Sequence, residues 1–264
     1  MNTRLPVLNY HGIGAFAGKP FTEAEQPYVV PRVSFEEQLD LLQDRGFSTL
    51  SLVQLQQWLR GGQAFPKPLV LTFDDGLSSH FETVVPALKK RKMQGIFFIP
   101  AGLVGQKGRM TWNQLKELAD EGFEIGSHGL NHIPLTHLSP ERMREELKDS
   151  KELLQNRIGS EIFSFSAPKG YFHTKIKVFA REAGYRMVFT SQFDLIPRGQ
   201  DLFCLNRLAI RRDLDLRGFA RTLEGRLGLK KYSEQAKAAA RALLAPALYD
   251  AASAAKRKLS GRIS

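Results

Sequence analysis

Short apolar runs alternate with amphipathic stretches for about 220 residues, and this pattern constrains the fold more than any other feature of the chain. "LPVLNY", "LVLTF", "GIFFIP", "FEIGSH", "IFSFS", "YRMVFT" and "LNRLAI" read as strands. Between them, "SFEEQLDLLQDRG", "HFETVVPALKKRK", "TWNQLKELADEG", "SPERMREELKDSKELLQNRIG", "KIKVFAREAG" and "DLRGFARTLEG" carry the 3.6-residue spacing of helices. Ser34 is expected to cap the first helix, with Glu37 completing a capping box and Gly46 stopping it. Pro86 should kink or restart the second helix, while Ser139 and Pro140 mark the start of the longest. Strand–helix alternation at this spacing argues for a parallel α/β architecture, and about seven units suit a barrel better than a short open sheet. In such barrels the chemistry sits where strands run out into the following loops.

Two strand ends carry that chemistry. "LVLTFDDG" closes on Asp74 and Asp75, adjacent carboxylates that repel each other and are costly to bury unpaired. Asp-Gly is also ordinary turn chemistry, so a turn is the plain alternative. "SHGLNH" places His128 and His132 four residues apart after another strand. In a parallel barrel both strand ends share a face, so one carboxylate and two imidazoles would form a site with open positions for water and substrate. Such N/O ligation suits Zn²⁺ most, and also Co²⁺, Ni²⁺, Mn²⁺ or Fe²⁺.

"TFDDG" followed by "SHGLNH" resembles the polysaccharide deacetylases of the NodB-homology type, carbohydrate esterase family 4. The likeness extends from "LPVLNYHGIG" to "LNRLAIRRD". It implies a distorted (β/α) barrel and a metal-dependent hydrolase that removes N-acetyl groups from N-acetylhexosamine in a poly- or oligosaccharide. It implies that Asp75, His128 and His132 bind the metal and that Asp74 acts as general base. The family's R-x-P-Y-G motif is matched by "SAPKG": Pro168 and Gly170 agree, while Ser166 and Lys169 stand where arginine and tyrosine are common. The backbone N–H of Lys169 would still serve the oxyanion, but the usual arginine partner of Asp74 is missing. Gly129 also stands where many members have Ser or Thr.

No histidine follows His173, so the late histidine that many members use as general acid is absent. A branch acting on poly-N-acetylglucosamine begins with an L-x-Y-H strand, which "LNYH" matches, making His11 the candidate acid; a polar residue capping a strand end is the alternative. Tyr171 and Trp112 are candidate sugar contacts, with helix packing the plainer reading of Trp112. Arg207 is a candidate substrate contact, with a surface or structural arginine equally compatible. His80 and His173 are expected at the surface at helix starts, His137 in a loop near the metal, and Trp58 in the core. An O-acetyl esterase, or a carbohydrate-binding protein on a retired barrel, would fit the same motifs less directly.

The net charge of +11 is concentrated in the C-terminal segment, where residues 226–264 hold nine basic and two acidic residues. The deacetylase-like domain is therefore placed at 1–229 and a basic, Ala-rich helical extension at 230–264, kinked at Pro246. That extension could pack across the barrel or touch an anionic membrane. Nothing points to nucleic acid: there is no recognition motif and no interleaved aromatics. No run approaches the roughly 18–20 apolar residues of a membrane span, and no signal-peptide core is visible, so cytoplasmic placement is the expectation. The lone Cys204 excludes a disulfide framework.

Overall fold

The computed structural model describes residues 4–14, 22, 25–228, 231–233 and 236. The strands are β1 (Arg4–Leu5), β2 (Val7–Tyr10), β3 (Ser48–Thr49), β4 (Pro68–Asp74), β5 (Ile96–Ile99), β6 (Glu124–Ser127), β7 (Ser164–Ser166), β8 (Met187–Phe189), β9 (Ile196–Pro197) and β10 (Leu208–Ala209). The helices are α1 (Arg32–Asp44), α2 (Leu52–Leu59), α3 (Val85–Lys90), α4 (Trp112–Asp120), α5 (Pro140–Ile158), α6 (Thr174–Glu182) and α7 (Leu216–Leu223). Seven parallel strands run in the order β10-β2-β4-β5-β6-β7-β8, and β3 pairs with β4 off this path. The curled sheet meets itself at a thin seam, where a single parallel bridge joins Phe189 to Leu205 just before β10. This is the distorted (β/α) barrel expected from the motifs.

Strand periodicity sorts the core into two clusters. Leu8, Tyr10, Leu71, Phe73, Phe97, Phe165 and Val188 face the helices, with Phe73 and Phe97 stacked 5.0 Å apart. Val7, Val70, Ile96, Phe98, Met187 and Phe189 face the barrel interior. Gly126 is required there: a Cβ on it would lie 2.4 Å from the Phe98 ring. Leu52, Leu55, Trp58 and Leu59 of α2 join the interior cluster. Both oxygens of Glu124, the first residue of β6, accept from the Leu52 N–H, so α2 plugs the N-terminal end of the barrel. The opposite end of the barrel is formed by the C-terminal strand ends.

Several local expectations change. Helix α1 begins at Arg32 behind Pro31, so Ser34 lies inside it and no side chain caps it. The capping boxes fall instead at Ser51/Gln54 of α2 and Thr111/Gln114 of α4. The pattern did not reveal β1 as separate from β2, nor β3, α2 and β9, all short elements. Pro86 does restart a helix: a π-turn over His80–Val84 precedes α3, with Pro86 in its first turn. The tail reading, with its Pro246 kink, falls almost wholly outside the described residues.

His80 is not at the surface. It is fully buried between Phe73 and Phe97, and its Nε2–H donates to the His11 carbonyl at 2.8 Å. Burial pushes its pKa down to about 4. The unfolded chain therefore takes up this proton first as pH falls. The stability contributed by neutral His80 is complete above about pH 6.5 and is lost between there and about pH 4. His80→Gln, which keeps an amide donor but cannot titrate, should flatten the fall of denaturant midpoint between pH 7.5 and 4.5. An unchanged slope would show that His80 does not contribute to it.

Candidate functional site

The C-terminal strand ends gather the residues that the motifs singled out. Alternation along β4 places Val70, Thr72 and Asp74 on the interior side, so Asp74 ends the strand pointing into the mouth of the barrel. The next residue would face away. Asp75 instead adopts φ 82° and Gly76 φ 59°, two successive left-handed residues that turn the chain back. A carbonyl contact holds this turn: the Arg109 guanidinium donates to the Asp75 backbone oxygen.

Asp75, His128 and His132 come together, with one donor atom from each lying within 4.8 Å of the others. His132 Nε2 is 3.0 Å and His128 Nε2 3.6 Å from Asp75 Oδ1. Asp75 Oδ1 is buried, and no hydrogen bond of ordinary geometry reaches it. His128 Nδ1–H donates to the Ser166 carbonyl at 2.8 Å, which fixes the tautomer and leaves Nε2 bare toward the cluster. Burial pushes His128 down to about 4, against the opposing pull of Asp74, so it is neutral at ordinary pH. Burial raises Asp75, but His132 and the neighbouring imidazoles hold it well below the usual carboxylate range. An ionised carboxylate oxygen without a donor and a tautomer-locked imidazole fit a divalent cation of borderline softness.

Asp74 has a different environment. Arg207 Nη1 donates to Asp74 Oδ1 and Nη2 to Oδ2, both at 2.8 Å. Asn9 Nδ2 adds 3.2 Å and the Ser166 hydroxyl 3.3 Å to Oδ2. Burial alone would raise the Asp74 pKa; the Arg207 charge, aided by His128, brings it to about 2. The remaining Arg207 donors reach Ser166 Oγ at 2.8 Å, the Thr190 carbonyl at 3.0 Å and Thr72 Oγ1 at 3.4 Å. All five N–H groups are thus used inside the protein, and the residue is 1 % exposed. This corrects two expectations. Arg207 has no donor left for substrate, and Asp74 does not lack an arginine. The arginine enters from the start of β10 instead of from the end of β7, where Ser166 now takes its hydrogen bond.

His11 follows β2. Its ring lies 5.2 Å from that of Tyr28, and its Nδ1 is buried without a partner. Pro168, Lys169 and Gly170 form a turn directly after β7, with Lys169 left-handed at φ 55°. Pro168 is buried and lies close to Gly129 of the histidine loop. Tyr171 is buried, 5.1 Å from the His137 ring. Trp112 is engaged in helix packing: the Arg157 guanidinium of α5 lies 5.5 Å from its ring centroid. Asn9, Tyr28, Arg109 and Glu146 were not anticipated. Asn9 alone had a signal, a polar residue at an interior-facing strand position.

Removing Arg207 strands a buried carboxylate, a change that typically costs about 3–5 kcal/mol. Arg207→Met should lower the denaturant midpoint accordingly, and most of that loss should vanish in an Asp74→Asn background. Additive losses in the double-mutant cycle would show that the two side chains do not couple.

Residues 61–188 match the sequence profile of the polysaccharide deacetylase family. The chain is 30% identical over 208 residues to YxkH of Bacillus subtilis (strain 168), a polysaccharide deacetylase by assignment, covering 78% of this chain and 71% of that protein. It is 26% identical over 229 residues to the poly-beta-1,6-N-acetyl-D-glucosamine N-deacetylase of Escherichia coli (strain K12), covering 66% of this chain and 34% of that one. The chain spans little more than half the length of the curated peptidoglycan deacetylases from Bacillus that it matches. The structure of Streptococcus pyogenes deacetylase PplD in complex with acetate aligns with a TM-score of 0.74 at 25% identity, covering 83% of this chain and 98% of that one. On its sequence, its barrel and these relatives, the chain belongs to the polysaccharide deacetylase family of NodB-homology, carbohydrate esterase 4 hydrolases.

Proposed function

We propose that the protein hydrolyses the N-acetyl group of an N-acetylhexosamine in a poly- or oligosaccharide, with Asp74 as base beside a divalent cation held by Asp75, His128 and His132. One observation carries the reading: a carboxylate locked in an arginine fork stands next to a separate donor set of one carboxylate and two imidazoles. The two adjacent aspartates thus divide the work. When bound, the cation, Zn²⁺ by preference with Co²⁺ or Ni²⁺ as substitutes, would supply an acidified water and a charge for the developing oxyanion.

The chain's own groups do the rest. Asp74 is ionised at any pH above about 4, and Arg207 holds both its oxygens in place to receive the proton of the attacking water. The N–H of Lys169, in the left-handed turn after β7, is assigned to the carbonyl oxygen as negative charge develops there. His11 is assigned to protonate the departing amine. Pro168, Gly170 and Tyr171 shape the neighbouring wall. The basic segment 230–264 is assigned a peripheral contact with anionic lipid, on its charge alone; no helix among the described residues is long and apolar enough to cross a membrane.

The test is acetate release from N-acetylglucosamine oligomers and from aryl acetates, with protein stripped of metal and reloaded with zinc, cobalt or nickel. Metal-restored release from the amides is expected; release from esters alone would move the reading to an O-acetyl esterase. Asp74→Asn should abolish turnover while leaving zinc affinity within a few-fold of wild type. Near-normal turnover in that variant would remove Asp74 from the mechanism. Because Arg207 keeps Asp74 ionised, Arg207→Met should shift the acidic limb of the kcat/KM profile to higher pH.

A further inference from the structure

Helix α5 buries Met143, Leu147, Leu154 and Ile158 along one stripe, and two positions within it, Glu146 and Ser150, are polar. Glu146 is only 7 % exposed. Its partners are N–H groups of the loop between the two histidines: Leu130 N at 2.8 Å and Asn131 N at 3.1 Å on Oε2, and Asn131 Nδ2 at 2.5 Å on Oε1. The opposite edge of the same loop is also fixed. Its Gly129 and Leu130 carbonyls accept from Ala101 N at 3.0 Å and Gly102 N at 2.8 Å. Gly102 permits that approach, since a Cβ there would stand 2.8 Å from the Leu130 oxygen.

The loop needs holding. His132 sits at φ 56°, a left-handed conformation that a residue with a Cβ adopts only when its surroundings impose it. The two residues just before His132 are the ones whose donors the buried Glu146 carboxylate binds. Groups that fix the orientation of metal ligands commonly change metal affinity 10–100-fold when altered, and Glu146 is placed to do so through the backbone that carries the two histidines. A loop that must order itself on binding loses affinity to the ordering entropy.

We propose that Glu146 is a positioning residue: by clamping the amides of Leu130 and Asn131 it sets the spacing of His128 and His132 and thereby the affinity of the site for its cation. The inference rests on the metal-binding reading above.

The test titrates the metal-free full-length protein with zinc against a competing chelator dye. Glu146→Gln keeps the size but turns an NH₂ toward loop donors, and should weaken zinc binding about 10–100-fold. Asn131→Ala, at an exposed position, removes one of the three contacts and should weaken it severalfold in a protein that folds normally. Leu147→Ala, one residue along α5 and fully buried, controls for lost stability and should leave the zinc Kd within threefold of wild type. Unchanged affinity in both loop-clamp variants, or equal weakening in Leu147→Ala, would overturn the proposal while leaving the metal site standing. If wild type binds no more tightly than His132→Ala, the metal reading fails and the proposal fails with it.

Discussion

The buried fork between Arg207 and Asp74 is the interaction on which both the barrel and its site depend. A buried ion pair is not stabilising by itself, because desolvating two charges costs about as much as their attraction returns. This pair is completed by further partners: Asn9 on β2, Thr72 on β4, Ser166 on β7 and the Thr190 carbonyl after β8. The sheet meets itself between β8 and β10 through the Phe189–Leu205 bridge and backbone hydrogen bonds beside it, and the Arg207 side chain also reaches across that seam. The group that holds the candidate base therefore also ties strands together at the C-terminal end of the barrel. A satisfied polar network of this sort rigidifies its neighbourhood; a partly satisfied one would be worse than an apolar core.

The adjacent aspartates are reconciled by backbone conformation. Continuing the strand would send their side chains to opposite faces. The left-handed turn at Asp75 and Gly76 brings the second carboxylate to the same mouth, in a different setting from the first. Asp74 receives hydrogen bonds on both oxygens, whereas Asp75 Oδ1 receives none. Chemically identical groups thus acquire the settings of a candidate base and a candidate ligand, a division made by the donors around them and not by residue type. The local strain is held by contacts from elsewhere, the Arg109 guanidinium among them.

The histidine loop follows the same logic one layer further out. His128 is oriented by the Ser166 carbonyl, and the same residue's hydroxyl takes part in the Asp74 network. Ser166 thereby links the tautomer of one candidate ligand to the position of the candidate base. The charge that Asp74 needs arrives from Arg207, before β10, so Ser166 has only a hydroxyl to supply at the end of β7.

The sequence by itself determined the alternation, the strand ends that carry chemistry, and the four residues Asp74, Asp75, His128 and His132, because periodicity and motif spacing are local properties. It also placed the helix boundaries set by local capping chemistry, at Ser139, Pro140 and Gly46. It did not show that Arg207 belongs to Asp74, 133 residues away, or that Glu146 belongs to a loop on another element. It placed His80 at the surface because a histidine at a helix start usually is, whereas packing against Phe73 and Phe97 buries it. Which polar groups face each other across the barrel depends on how far the sheet curls and where it closes. Only the tertiary structure decided that, and with it which partner each buried charge would have.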